Sequence, residues 1–384
     1  MTPVYLDYNA TAPVRPEAAL AVAEALQAGG NPSSVHAAGR AARARVEQAR
    51  DAVARLIAAP ASTVIFTSGG TEANALAIES AVAAGSRRLI VCAIEHDSVL
   101  EPARASGAAV ELLPVTGGGV ADLSWLRARL ADWDAAAEGR PFVALMLANN
   151  ETGVIQPVAE AAEIVRAADG WLHVDAIQAA GKIPVDSRAI GADTLSISAH
   201  KLGGPQGVGA LTFGPRAALS RRLHGGGQER GHRAGTENVP GISGFGAAAK
   251  AALEGQGGLA LQAAWRDAAA ARLKAVGAVV VGEAAPRLPN TLCVAEAGSA
   301  SELQVMALDL AGVMVSAGSA CSSGKVKASH VLTAMGRPEL ADSAIRVSGG
   351  WATTEEDWNR LVEAWLAAHE RRSARRRAPA VAGV

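Results

Sequence analysis

The chain has 384 residues, 49% of them apolar, with 36 Lys and Arg against 37 Asp and Glu. That length predicts two or three domains, and the near-neutral balance argues against a general nucleic-acid or membrane-surface binder. Three cysteines, at 92, 293 and 321, make neither a disulfide framework nor a CxxC pair.

The first residues, MTPVYLDYNATAP, lack a basic stretch followed by an apolar one, so no secretory signal is expected. Every apolar run is broken before it reaches the ~20 residues of a membrane span. A cytoplasmic protein is the expectation. In chain order, TVIFTS (63–68) reads as a strand, 71–84 as a helix, and RLIVCAIE (88–95) as a strand. A helix over 98–106, a strand at AVELLPV (109–115), a helix over 124–137 and a strand at FVALMLAN (142–149) follow. After a helix over 158–168 come strands WLHVDA (171–176), TLSISA (194–199) and VGALTF (208–213). Seven nearly continuous apolar strands alternating with helices predict an α/β fold with a mostly parallel sheet covered on both faces. The Ala/Arg-rich stretch 247–275 reads as one long helix leading away from it, and a last helix is expected near 355–370. The expected division is a large domain over 13–250 and a smaller C-terminal α+β domain formed by 1–12 and 251–384.

Ligands of open α/β sheets gather beyond the carboxyl ends of the strands, and several strand ends here are polar. TSGGTEANALAI runs from a strand through two glycines into a helix, which suits either a phosphate cradle or an ordinary capped turn. It lacks the GxxxxGK[ST] pattern of a P-loop. WLHVDAIQ ends a strand on Asp175, a candidate catalytic carboxylate or helix cap, with Gln178 one turn later. SISAHKLGG places Lys201 between His200 and a Gly-Gly turn, where a neighbouring cation favours a nucleophilic amine; a surface lysine is the plain alternative. Taken together, an Asp for a pyridinium nitrogen, a Schiff-base Lys and a phosphate site are the parts that pyridoxal phosphate (PLP) needs. His96, at another strand end, is placed to stack on the ring or shuttle protons.

Cys92 and Cys293 sit in apolar company, as structural cysteines do. Cys321 lies instead in SAGSACSSGKVKASH, among small residues with Lys325 and Lys327 nearby, a setting that suits a nucleophile on a mobile loop and equally a plain surface loop. The tail ERRSARRRAPAVAGV reads as a solvated terminus, with docking of a partner as the alternative.

The order of YLDYNATAPVRPE, NPSSVHAAGRAAR, FTSGGTEANALAI, NNETGVIQP, HVDAIQAAGKIPVD, SAHKLGGPQGVGAL, HGGGQERGHRAGTENVPG, SAGSACSSG and AIRVSGGWATTEED resembles the cysteine desulfurases of the NifS/IscS type. The resemblance covers nearly the whole chain and implies a fold-type I, class V aminotransferase-like PLP enzyme. It implies that Lys201 holds PLP, that Asp175 pairs the pyridinium nitrogen, and that Gln178 bonds the ring's phenolic oxygen. Gly70, Thr71, Ser198 and His200 fall at the family's phosphate site. Asn150 falls near ring and substrate, and His96 matches the stacked acid/base histidine. Thr236 matches a threonine that reaches the phosphate of the neighbouring subunit, which implies a homodimer. Arg346 matches the arginine that clamps the substrate carboxylate, where a bidentate guanidinium is apt. Cys321 matches the cysteine that takes sulfur from L-cysteine as a persulfide, releasing L-alanine and passing sulfur to an acceptor such as an iron–sulfur scaffold.

Some positions depart from the family pattern. Gly349 stands where a larger aliphatic residue is common, Ala328 where proline is, and the tail is short and Arg-rich. A selenocysteine lyase or another class V aminotransferase or lyase is the alternative reading, and a non-catalytic scaffold the remote one. No metal site is expected, because the histidines at 200, 224 and 232 lack ligand spacing with Cys or carboxylate partners.

Overall fold

The computed structural model describes residues 3–318 and 328–377. Cys321, with Lys325 and Lys327, lies outside the described residues. Among these, no helix is long and apolar enough to cross a membrane.

The seven expected strands form one sheet, in the order Val64–Thr67, Gly209–Phe213, Thr194–Ser198, Trp171–Asp175, Phe142–Ala144, Arg88–Cys92 and Ala109–Leu113. Its last five strands run parallel, whereas Gly209–Phe213 is antiparallel to both of its neighbours. Helices cover both faces, so Leu89, Ile90, Val91, Phe142, Val143 and Val174 are all fully buried. Because every face is apolar, alternation is absent and the strands read as unbroken hydrophobic runs. The run 142–149 keeps ladder form only over Phe142–Ala144. Beyond it, Leu145 and Leu147 donate backbone N–H groups to His173 and Asp175 while the chain curls toward the sheet's carboxyl edge.

Three helical expectations need correction. The stretch 124–137 breaks into Leu123–Ala131 and Ala135–Glu138, because Asp134 turns its carboxylate onto the amides of Ala136 and Ala137 and starts a new helix. The stretch 247–275 is two helices, Val239–Ala260 and Gln262–Lys274, and the first begins eight residues early, where Asn238 caps the amide of Gly241. No regular helix follows Asp175, so Gln178 sits in a turn. The helices Pro16–Ala28 and Ala37–Leu56, which pack on Val239–Ala260, escaped the sequence reading. The second nevertheless carries a helical stripe of Ala42, Val46, Ala49 and Val53.

A second, antiparallel sheet orders Ser316–Ala317, Ala344–Ser348, Thr291–Ala295 and Val279–Val280. The helix Glu355–Arg377 lays Trp358, Leu361, Val362 and Trp365 against it, in a cluster that also holds Val4 and Leu6. The amino end belongs there because Val4–Tyr5 pairs parallel with Val313–Met314. Gly349, at the end of its strand, exchanges bonds with Asn290, and any Cβ there would run into Gln262. The space a larger residue would fill is thus taken by the Gln262 side chain.

The segment carrying Thr236 is tied to the large sheet by a buried ion pair. Arg50 donates to both Glu229 oxygens, at 2.7 and 3.0 Å, and Glu229 also accepts from the Phe66 amide at 2.9 Å. Both side chains are 3–4% exposed. Glu229→Ala is expected to cost ~3 kcal/mol, since it removes the buried carboxylate and leaves Arg50 only the half-exposed Glu47. A urea midpoint equal to that of the parent would refute this.

Candidate active site

At the carboxyl ends of the parallel strands lies a cavity of about 180 Å³. Gly70, Thr71, His96, Asn150, Asp175, Gln178, Ser198, His200 and Lys201 all line it, so nine sequence-identified residues from five separated segments converge on one space. Thr236 does not line it; it is exposed and borders a separate cleft with Arg233 and Gly235. Arg346 is also absent from the lining. Its Nη2 is paired with Asp7 Oδ1 at 2.9 Å and its Nη1 donates to the carbonyl of Asn150 at 3.3 Å, leaving Nε buried without a partner.

Lys201 ends a single 3₁₀ turn directly after the strand Thr194–Ser198. Its Nζ donates to the carbonyls of Asn9 at 2.6 Å and Ala10 at 2.8 Å. Burial, with help from the Arg346 cation, pushes its amine down to about 8, against the pull of Asp7 and Asp175. Such an amine is mostly protonated at pH 7 but gives up its proton far more readily than an ordinary lysine, as a nucleophile must.

Asp175 closes the strand Trp171–Asp175. Burial pushes its carboxyl up, but Oδ1 accepts from the Ile177 amide at 2.9 Å and Oδ2 from Asn74 at 2.8 Å, and both bonds favour the anion. Asn74 is itself clamped: Ser98 accepts from it, while Ser196 donates to its Oδ1 and the His173 ring bonds the same oxygen at 3.0 Å. Burial holds His173 down to about 3, so it is neutral and must donate to that oxygen. A buried carboxylate held this way is poised to take a cationic N–H from the cavity.

The helix Gly70–Ala83 points its amino end into the same space. A Cβ at Gly70 would run into Ile177, and one at Gly209 would sit 2.6 Å from the backbone of Gly69. Close backbone approach at both positions leaves the first amides of the helix free to face a ligand. With Ser198 and His200 beside them, they form an anion cradle. His200 bonds Thr11 through Nδ1, and burial with the two nearby lysines holds it down to about 4.

His96 caps the helix Asp97–Ala105 through Nδ1, which accepts from the Ser98 amide at 3.0 Å. That fixes the proton on Nε2 in the neutral ring. The imidazole is open to the cavity, yet the protein packed round it disfavours the cation and holds its pKa below the ordinary value. An amine, a carboxylate positioned for a ring N–H, an anion cradle and a neutral imidazole fit PLP group by group.

Asn9, Asn74 and Lys182 were not singled out from the sequence. Asn9 donates from Nδ2 to Thr291 and accepts on its carbonyl from Lys201 and Gln178. Lys182 donates to Asn9 Oδ1 and Gln178 Oε1. The one available signal was a polar residue in apolar surroundings: Asn74 interrupts the buried Ala/Leu face of its helix. Cys92 and Cys293 are buried as expected, and burial pushes both thiols up.

The family model for class-V aminotransferases matches residues 4–361. A cysteine desulfurase of Cereibacter sphaeroides is 44% identical over 372 residues, covering 94% of this chain and 95% of its own length. A cysteine desulfurase IscS of Dictyoglomus turgidum is 41% identical, covering 94% and 93% respectively. Among solved structures, a NifS-like protein from Rickettsia africae superposes with a TM-score of 0.88 at 31% identity, covering 96% of this chain and 99% of that one.

The lowered amine of Lys201 gives a first prediction. Reductive methylation of Lys201 in the ligand-free protein, followed by peptide mass spectrometry, is expected to rise with pH through a midpoint near 8. Below that pH the ammonium has no lone pair and does not react. A midpoint at the ordinary lysine value near ~10.4 would refute the electrostatic reading of the site.

Proposed function

The chain belongs to the aminotransferase class-V family, among its PLP-dependent cysteine desulfurases of the NifS/IscS type, and on that premise we propose how its residues divide the reaction. The observation that carries the proposal is the convergence of Lys201 and Asp175 with the helix amino end at Gly70 on one cavity. Lys201 would hold the cofactor's aldehyde carbon, Asp175 its ring nitrogen, and Gly70, Thr71, Ser198 and His200 its phosphate. When bound, PLP supplies an electron sink that lets the amino acid lose its Cα proton.

L-cysteine is the proposed substrate. Lys201, released from the cofactor, takes the Cα proton with an amine already lowered to about 8. Arg346 would orient the substrate carboxylate. To do so it must present Nε or exchange a contact with Asp7, the partner that now neutralises it. Asn150 and Gln178 would contact substrate and ring, and His96 would stack on the ring and move a proton through Nε2.

Cys321 would attack as the thiolate. Its sulfur bonds the substrate sulfur, the substrate carbon–sulfur bond breaks with its electrons staying on carbon, and protonation of carbon gives L-alanine. The products are alanine and a persulfide on Cys321, with no external oxidant or reductant. We further propose a cytoplasmic homodimer, supported by Thr236 standing exposed away from its own cavity. An acceptor protein such as an iron–sulfur scaffold would take the sulfur. The domain division at 13–250 against 1–12 with 251–384 is part of the same reading, supported by the separate cluster around Trp358 and Trp365.

Sulfide and alanine formation from L-cysteine with a thiol reductant tests the sulfur step. Cys321→Ala is expected to fall to background while keeping its bound cofactor; activity equal to the parent would remove Cys321 as sulfur carrier. Arg346→Gln is expected to raise KM for L-cysteine by roughly 10- to 100-fold, the equivalent of ~1.5–3 kcal/mol for hydrogen bonds to a charged group. An unchanged KM would refute the clamp.

A further inference from the structure

Lys182 is 6% exposed, yet the charged groups that act on it are both cations, Lys201 and Arg346. Its Nζ donates to Gln178 Oε1 at 2.6 Å and to Asn9 Oδ1 at 2.7 Å. A neutral amine has two N–H donors and one lone pair, so these two acceptors take both donors of the neutral form. Burial beside two other cations favours the same form, and its pKa is pushed well below the usual lysine range. Lys182 is therefore a buried donor behind the cavity lining, in surroundings that disfavour its charged form.

Its bond to Gln178 has a directional consequence. With Oε1 facing Lys182, the Gln178 Nε2 donates one hydrogen to the carbonyl of Asn9 at 3.0 Å. Turning the amide over would take the acceptor away from the Lys182 N–H and set the Gln178 carbonyl against that of Asn9. The second Nε2 hydrogen remains, at a residue that lines the cavity. The carbonyl that takes the first hydrogen also takes Lys201 Nζ, so the two lysines are linked through Asn9.

We propose that Lys182 is a positioning residue: by fixing which end of the Gln178 amide faces Asn9, it presents an N–H donor to an oxygen of the bound cofactor. The inference rests on PLP as occupant of the cavity. A donor aimed at that oxygen favours its deprotonated form, so losing the donor raises the cofactor's proton affinity.

The test is a pH titration of the visible absorption of the cofactor-loaded enzyme, a readout independent of turnover. Lys182→Met is expected to raise the apparent proton affinity of the chromophore about tenfold, the size of one charge-assisted hydrogen bond. Gln178→Leu should raise it by the same factor, and the double variant should go no further, because the two residues act as one. Lys182→Gln keeps an N–H donor and should titrate like the parent. Additive shifts, or a Lys182→Met titration identical to the parent's, would overturn the proposal. If Lys182→Met does not fold, the comparison of Lys182→Gln with Gln178→Leu decides: equal shifts in the two overturn it. A parent enzyme with no visible cofactor band overturns the PLP reading and this inference with it, whereas a normal parent band with unmoved variants overturns this inference alone.

Discussion

One buried asparagine ties the two sheets to the active site. Asn9 is 1% exposed and all of its polar groups are used. Its amide donates to Ser348 and its Nδ2 to Thr291, both on the smaller sheet. Its carbonyl accepts from Lys201 and Gln178, and its Oδ1 from Lys182, all on the larger domain's side. An unsatisfied buried polar group costs ~1–3 kcal/mol, so each of these bonds constrains the others. The amino end must return to the smaller sheet to bring Asn9 here, and the parallel bridge of Asp7 with Ser348 does so.

Around that hinge the cavity's chemistry follows from burial opposed by selected partners. Desolvation alone would neutralise Lys201, Asp175, Lys182 and His96 alike. Asp175 differs because two donors, the Ile177 amide and Asn74, stabilise its anion. Lys182 has only neutral acceptors, so nothing opposes the effect of burial on its charge. Lys201 lies between these cases, since Asp7 and Asp175 resist the effect of burial and Arg346, and its amine settles where it can hold or release a proton near neutrality. The Arg346–Asp7 pair matters twice here, because each member acts on Lys201 with opposite sign.

The large sheet and most of the cavity were legible in the sequence for one reason. A parallel sheet covered on both faces writes its strands as apolar runs, and the first polar residue after each run marks the edge where ligands bind. Asp175 and Ser198 close two such strands, and Lys201 follows Ser198 within one turn. Asn9 and Lys182 were illegible because nothing local distinguishes them; their partners lie 173 positions apart and meet only in the fold. Helix ends failed where a side chain overrides propensity, as Asp134 does inside an Ala-rich run. The relation of Arg346 to Asp7 spans 339 positions and is likewise invisible to any local pattern.

The role proposed for Cys321 gains support by elimination as well as by resemblance. The thiolate is the nucleophile, and burial in apolar surroundings raises a thiol's pKa. Cys92 and Cys293 are fully buried, and acidic neighbours, Glu95 and Glu151, add to the rise. Burial thus disfavours both thiolates, and neither sulfur is accessible from outside. Of the chain's three cysteines, that leaves the one set among serines, glycines and lysines. The described residues flanking it converge on a single side chain. Ser329 donates to Glu151 Oε2 at 2.5 Å, and a Cβ at Gly318 would lie 2.8 Å from the same oxygen. Glu151 follows Asn150 directly, so a perturbation of that carboxylate acts on both flanks of the Cys321 segment and on the cavity wall together.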